Sequence, residues 1–401
     1  MAEAGRTGEK VRSDCRIQFT PGGSEVRIRV ISKVAALYGR QIEDQIHNNL
    51  KIMGISGGKV IVEDTGALPY VISARLETAV LRSGVQIKAP VFDPGNKKYS
   101  SSPKDRFRRS RLYVPGNQPH LFNNAGLHRP DGIILDLEDS VAPAEKDAAR
   151  ILVRNALLHM EFGDAEKMVR INQLPMGLED LDTSVPFGAQ MVLVPKCESP
   201  DQIREVDEKI KAYNPSQSVW LMPIIESAIG CFRALEIATA SPRVAAISIG
   251  LEDYTADLGV QRTAEGRESL WARQTVINAA KAAGIQAIDS VFSDVSDMDG
   301  LRRSVAEARA LGFEGKGCIH PNQVRVIHET FAPSGSEIAN ACNIVLAYEK
   351  AEKEGLGVVA VGSKMVDAPV VKRALNCVRQ AEILGTLKKG WRNNRENEKN
   401  G

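Results

Sequence analysis

Residues 109–141 read RSRLYVPGNQPHLFNNAGLHRPDGIILDLEDSV, and they contain two short apolar runs, Leu112-Tyr113-Val114 and Ile133-Ile134-Leu135, that each break into polar or glycine residues. The same unit recurs down the chain. Comparable runs occupy 168–171, 191–194, 221–225, 245–249, 287–289 and 317–319. Between most of them the apolar residues follow helical spacing, for example over 145–158, 203–212, 270–283 and 301–311. Strands alternating with helices predict a parallel sheet, and eight such units in about 210 residues match a closed (β/α)8 TIM barrel of the α/β class. The third and fifth intervals are the least regular, which keeps an open doubly wound sheet as the alternative.

Upstream, residues 84–109 read GVQIKAPVFDPGNKKYSSSPKDRFRR, with three prolines, a serine run and no sustained helical or strand period. That is a linker composition. Before it lies a small α+β unit. Arg16-Ile17-Gln18-Phe19 and Val26-Arg27-Ile28-Arg29-Val30 alternate polar and apolar residues around Pro21-Gly22-Gly23, which predicts two strands joined by a turn. A helix is expected over 32–53, short strands at 60–62 and 70–72, and a helix over 74–81. The expected organisation is a small N-terminal domain at 1–83, a linker at 84–107, the barrel domain at 108–384 and a basic tail at 385–401.

The balance of 52 Lys+Arg against 50 Asp+Glu gives a formal charge of +2, which offers no electrostatic footprint for nucleic acid. Six scattered cysteines without a CxxC pair read as reduced thiols in a cytoplasmic protein. The polar N-terminus carries no secretory h-region, and no stretch approaches the roughly 18–20 apolar residues needed to span a bilayer. Neither nucleic acid nor membrane is an expected partner.

In such a barrel the chemistry sits at the C-terminal strand ends. Those ends read Pro115-Gly116-Asn117, Asp136-Leu137-Glu138-Asp139, Arg170-Ile171-Asn172, Pro195-Lys196, Glu226-Ser227, Glu252-Asp253, Asp289-Ser290 and His320-Pro321. Carboxylates dominate, and an all-oxygen donor set suits a hard cation such as Mg²⁺. Bland roles compete. Asp136, Glu138 and Asp139 could start a helix, where acids are favoured. Arg170 needs an anion, from the protein or from a ligand. Glu226 is harder to dismiss, because a buried unpaired carboxylate is costly. Lys196 could form a Schiff base only with a lowered pKa.

The chain resembles the citrate lyase β subunit, within the HpcH/HpaI aldolase and citrate lyase superfamily. The segments that carry this are Arg109 to Gly116, Leu135-Asp136-Leu137-Glu138-Asp139-Ser140-Val141, Glu145-Lys146-Asp147, Ile225-Glu226-Ser227, Gly250-Leu251-Glu252-Asp253-Tyr254 with Arg262-Thr263, and Gly362-Ser363-Lys364-Met365-Val366-Asp367. The resemblance implies a Mg²⁺-dependent carbon–carbon lyase acting on a 3-hydroxy-carboxyacyl thioester, such as citryl thioester cleaved to oxaloacetate and acetyl thioester. It implies Glu226 and Asp253 as metal ligands and Arg170 as a catalytic, substrate-binding arginine. It also implies Asp367 as a catalytic residue contributed across a homo-oligomer interface. Gly250, Leu251 and Glu252, with Asp136, Glu138 and Asp139, are the further substrate-binding candidates.

Ser13-Asp14-Cys15, Asp64 with Gly66-Ala67-Leu68, and Ala74-Arg75-Leu76-Glu77 resemble the citrate lyase γ, or acyl carrier, subunit. That family attaches a phosphoribosyl-dephospho-CoA arm to a serine two positions before the aspartate. Here Arg12 stands there, and Ser13 is the nearby candidate. Either attachment has moved to Ser13 or the domain is a structural or docking element. A separate acyl- or CoA-transferase subunit would then be a possible partner. The competing readings are a malyl-CoA or citramalyl-CoA lyase or a thioesterase acting on free CoA esters, and a non-catalytic binding protein.

Overall fold

The computed structural model describes residues 1–95, 97–355, 358–361 and 364–392. It divides into two compact units, Met1–Ile327 and His328–Gly401. Gly362, Ser363 and positions 393–401 of the basic tail lie outside the described residues.

At the N-terminus, β1 (Ala2–Ala4), β2 (Cys15–Pro21), β3 (Val26–Ser32), α1 (Ala35–Ile52), β4 (Gly58–Asp64) and α2 (Pro69–Arg82) build a sheet of order β1-β2-β4-β3. Alternate residues of β2 and β4 (Ile17, Phe19, Val60, Val62) pack with Ile46 and Leu50 of α1 and Leu76 of α2 to form its core. The two strands joined by a turn are present as β2 and β3, and one expectation, the strand at 70–72, is corrected. β2 and β3 do not pair with each other: β4 inserts between them, antiparallel to β2 and parallel to β3. The parallel pair is reached through the α1 crossover, as parallel strands require. The strand expected at Tyr70-Val71-Ile72 is instead the first turn of α2, which opens with Pro69 in its first turn and buries every residue from Tyr70 to Val80. A helix buried on nearly all sides, its Arg75 and Glu77 included, lacks the exposed polar face that reveals a helical period.

The next region alternates strand and helix. In order it runs β5 (Ser110–Pro115), α3 (Pro119–Ala125), β6 (Gly132–Asp136), α4 (Lys146–His159), β7 (Glu166–Arg170), α5 (Gly177–Asp182), β8 (Met191–Val194), α6 (Pro200–Tyr213) and β9 (Trp220–Ile225). It continues with α7 (Ala228–Phe232), α8 (Ala234–Ala238), β10 (Ala246–Ile249), α9 (Leu251–Asp257), α10 (Leu270–Ala283), β11 (Gln286–Asp289), α11 (Met298–Leu311), β12 (Gly315–Cys318) and α12 (Asn322–Phe331). β5 to β12 close into an all-parallel barrel, β12 pairing back onto β5. Closure excludes the open sheet.

The lumen below the strand ends is filled by Ile134, Met168, Met191, Leu193, Met222, Ile224 and Ile288. At the N-terminal ends of the strands, Arg108 is fully buried and bidentate to Glu166 at 2.7 and 2.9 Å, and it donates to Gln286 Oε1 at 2.7 Å. The described residues of 83–109 contain no helix or strand, yet Ser102 also bonds Glu166 and Trp220 donates to the Ser102 carbonyl, which straps the segment to this end of the barrel.

α2 packs on α4. Between them Glu77 takes two hydrogen bonds from Arg154, at 2.8 and 2.7 Å, with both side chains buried. Arg82 reaches Asp147 at 2.6 Å, and Asn155 donates to the Tyr70 carbonyl.

The second unit contains α13 (Gly335–Lys353), the antiparallel hairpin β13 (Val359–Val361) and β14 (Lys364–Val366), and α14 (Ala368–Ile383). Its core joins Ile338, Cys342, Val345, Val378 and Trp391. No described helix is long and apolar enough to cross a membrane.

Candidate active site

Because successive side chains of a strand alternate between faces, Tyr113 and Pro115 of β5, Asp136 of β6 and Arg170 of β7 reach a common cavity, together with Ile224 and Glu226 at the end of β9. The cavity measures about 290 Å³, and Gly250, Leu251, Glu252 and Asp253 complete its rim.

β6 and β7 set Asp136 directly opposite Arg170. The two form a bidentate pair, Nε to Oδ1 at 2.6 Å and Nη2 to Oδ2 at 2.7 Å, while Asp136 also accepts the backbone N–H groups of Glu138 and Ser140. Burial pushes the Asp136 carboxyl up, but the Arg170 guanidinium and these hydrogen bonds outweigh it and hold the group below its ordinary value. Asp136 is thus saturated, and its work is to orient Arg170. The third guanidinium nitrogen lies 2.8 Å from Glu138, and the guanidinium stands 5.2 Å over the Tyr113 ring.

Glu226 is buried, and its Oε2 accepts the backbone N–H of Lys196, a non-glycine residue held in the left-handed region at φ 45°. Burial first, then the charges of Asp253 and Glu138, push the Glu226 carboxyl up to about 8. Gly250 explains part of this closeness: a Cβ there would meet Glu226 Oε1 at 2.6 Å, so only glycine lets the carboxylate lie against the start of α9. The Lys196 ammonium sits among Glu138 (3.2 Å), Asp139 (3.4 Å) and Asp253 (3.8 Å). Partial burial lowers it, but those three carboxylates raise it above its ordinary value. An amine kept protonated in this way is a poor Schiff-base nucleophile. Glu252 is held from outside the cavity, by Arg262 at 2.6 Å and Ser293 at 3.0 Å.

The other sequence candidates lie elsewhere. Asp367 belongs to the second unit, where it accepts the Val370 N–H at 3.2 Å as the N-cap of α14. Ser13 belongs to the N-terminal domain and takes φ 56°, and its N–H donates to the Thr65 carbonyl. The adjacent Asp14 is buried and bidentate to Arg75 at 2.9 and 3.0 Å. His320 accepts the Asn322 N–H, a capping role.

The strand ends alone do not reveal Arg111, Ser248 or Tyr113, which also line the cavity. Arg111 was legible in principle. Counting back by two from Pro115 passes through Tyr113 to Arg111 on the same face.

Among the described residues no three His, Cys, Asp or Glu side chains are grouped to hold a metal ion. Glu226 and Asp253 offer two carboxylates. Mg²⁺ is commonly bound through one or two carboxylates, with water and substrate oxygens completing its shell. The strained protonation of Glu226 beside Asp253 is what a divalent cation between them would relieve.

The HpcH/HpaI aldolase/citrate lyase family model matches residues 109–321, and the acyl carrier model described as malonate decarboxylase delta subunit matches residues 3–83. The citrate lyase subunit beta of Escherichia coli K12 is 40% identical over 289 residues, covering 70% of this chain and 96% of that protein. The mitochondrial citramalyl-CoA lyase of Mus musculus is 35% identical over 305 residues, covering 72% of this chain and 90% of that protein. The crystal structure of CitE from Mycobacterium tuberculosis in complex with magnesium, acetoacetate and coenzyme A superposes with a TM-score of 0.59 at 31% identity, covering 70% of this chain and 99% of that one.

Proposed function

The chain belongs to the HpcH/HpaI aldolase/citrate lyase family, and from that premise we propose that its barrel is a Mg²⁺-dependent carbon–carbon lyase that cleaves a citryl thioester to oxaloacetate and an acetyl thioester. The observation that carries this reading is buried Glu226 beside Asp253, two carboxylates converging on one cavity with Arg170 among its lining residues. Both fit Mg²⁺, which when bound would polarise the substrate's hydroxyl and carboxylate oxygens and lower the hydroxyl pKa.

The protein's own residues do the rest. Asp136 and Glu138 fix the Arg170 guanidinium, so it needs no reorganisation as oxyanion charge develops; one such preorganised donor is typically worth about 2.7–4 kcal/mol. The hydroxyl proton passes to solvent water, and the electron pair it leaves becomes the new carbonyl bond. The carbon–carbon bond then breaks, and its pair passes into the thioester as an enolate. Asp367 from a neighbouring subunit of a homo-oligomer is our candidate for returning a proton to that carbon. The six cysteines stand as thiols, not disulfides, which fits a reducing cytoplasm.

The test offers citryl-CoA, citramalyl-CoA and malyl-CoA to the full chain with Mg²⁺ and follows release of the oxo acid. Cleavage of citryl-CoA that a chelator abolishes is expected. Turnover of none of the three overturns the lyase reading.

For the thioester carrier we favour free CoA over an arm on Ser13, which also removes the need for a transferase subunit. Support comes from Arg12 at the attachment position and from the Glu77–Arg154 pair, which fastens the carrier-like domain to α4 instead of leaving it to swing. Intact mass spectrometry of protein from its native host is expected to give the unmodified chain. A mass added at Ser13 reverses this choice.

A further inference from the structure

Arg111 sits inside the barrel and makes no direct ion pair among the described residues. It is 1% exposed, and its strand places it between two glycines in register, Gly132 on β6 and Gly317 on β12. Nη1 meets the Met222 thioether at 3.0 Å, Nη2 only grazes the Asp289 carbonyl at 3.4 Å, and Nε has no hydrogen-bond partner. Thioether sulfur is a weak acceptor.

Nearby carboxylates make their direct ion pairs with other cations. Asp289 binds Lys316 at 2.6 Å and Arg273 at 3.2 Å, and Asp136 binds Arg170. Among the described residues no ion pair joins Arg111, and burial pulls its pKa down to about 10, which still leaves it charged at neutral pH. A buried cation needs an anion, and among the described residues Asp289 attracts Arg111 from nearby without a direct ion pair, its Oδ2 being held by Lys316 and Arg273. The cavity that holds Glu226 and Asp253 at its upper end has Arg111 among its lining residues, next to Ile224 and Ser248. Of the two arginines lining that cavity, Arg170 is committed to Asp136 and Glu138, and Arg111 is uncommitted.

We propose that Arg111 receives a second carboxylate on the hydroxy-acid half of the substrate, and so selects substrates that release a dicarboxylic oxo acid over those that release a monocarboxylic one. The inference rests on the lyase reading above. The fork of a guanidinium matches a carboxylate bidentately, and a site built for that contact rejects an analogue lacking it, because the buried cation is then left unpaired. A citryl thioester carries the extra carboxylate. A citramalyl thioester has a methyl group in its place.

The test measures binding of the two product classes, oxaloacetate and pyruvate, by calorimetry with Mg²⁺, on the wild-type chain, Arg111→Met and Arg111→Lys. Cleavage of citryl-CoA and citramalyl-CoA is compared in parallel. Wild type is expected to prefer oxaloacetate. Arg111→Met, close in length and uncharged, is expected to lose roughly 10–100-fold of that preference by weakening oxaloacetate alone. Arg111→Lys should keep part of it, and serves as the reading if the methionine variant does not fold. A preference absent from wild type, or equal losses for both oxo acids in the variants, overturns the assignment. Binding is read without turnover, so failure of wild type to cleave any thioester would count against the lyase reading alone.

Discussion

Asp253→Ala is expected to abolish lyase turnover and to leave the thermal midpoint unchanged. The two halves of this result have separate causes. Asp253 stands in the first turn of α9 with its side chain 44% exposed, and among the described residues it pairs only with Lys196, at a long 3.8 Å. Losing such a group costs a fold little, usually within about 0.5 kcal/mol. Its catalytic loss is much larger. With Asp253 gone, Glu226 alone would face the cation, and a site that keeps one protein carboxylate no longer fixes the position of the hydroxyl it must activate. Removing a single preorganised group of this kind typically costs about 10²–10³ in kcat, and loss of the ion itself should cost more. The check is kcat for citryl-CoA across a Mg²⁺ titration, with calorimetric Mg²⁺ binding and a thermal melt on the same sample. Activity restored at saturating Mg²⁺ would falsify the ligand assignment. Asp139→Ala is the control, because Asp139 also pairs with Lys196 but does not line the cavity.

The sequence made the barrel legible for a specific reason. Its strands are buried on both sides, so they read as short unbroken apolar runs, and each of the eight falls on a run such as 133–135 or 191–194. The helix expected at 270–283 coincides with α10, whose exposed Gln274, Asn278 and Lys281 recur at helical spacing and which ends at Gly284 with φ 67°. The N-terminal domain was harder. The run Tyr70-Val71-Ile72 has the β-branched and aromatic composition of a strand, and only its burial between the sheet and α4 makes it helical. Which strands pair was also hidden, since a turn such as Pro21-Gly22-Gly23 joins neighbours in sequence without showing that β4 will separate them.

The site divides in the same way. Acidic strand ends were visible as residue types, but their division of labour depends on register. Asp136 and Glu226 look alike in sequence. One is saturated by an arginine opposite it on the next strand, and the other is left against glycine with no cation of its own. Arg111 does not show at the strand ends because it lies in the layer beneath them, and a charged residue in that layer is the kind of local inconsistency that marks function.

Arg154→Ala is expected to destabilise the chain by about 3–5 kcal/mol, while the double replacement Arg154→Met with Glu77→Leu restores most of that loss. The reasoning turns on burial. Glu77 accepts both Arg154 nitrogens and the N–H of Val91, the last of which ties down the segment leaving α2. Arg154 in turn bonds Asn155 Oδ1 and lies 5.7 Å over the Phe187 ring. A pair of this kind gains little over apolar side chains of similar volume, because both charges were taken out of water to make it. Removing only the arginine leaves Glu77 buried and ionised without its cation, and that uncompensated charge is the source of the large effect. Urea unfolding followed by limited proteolysis between residues 83 and 110 measures it, since a released N-terminal domain exposes that segment. If Arg154→Ala and the double variant unfold at the same midpoint as wild type, the domain is not held by this pair. The mobile carrier role would then regain its standing against the fastened one, because a domain free to leave α4 could present Ser13 to more than one site.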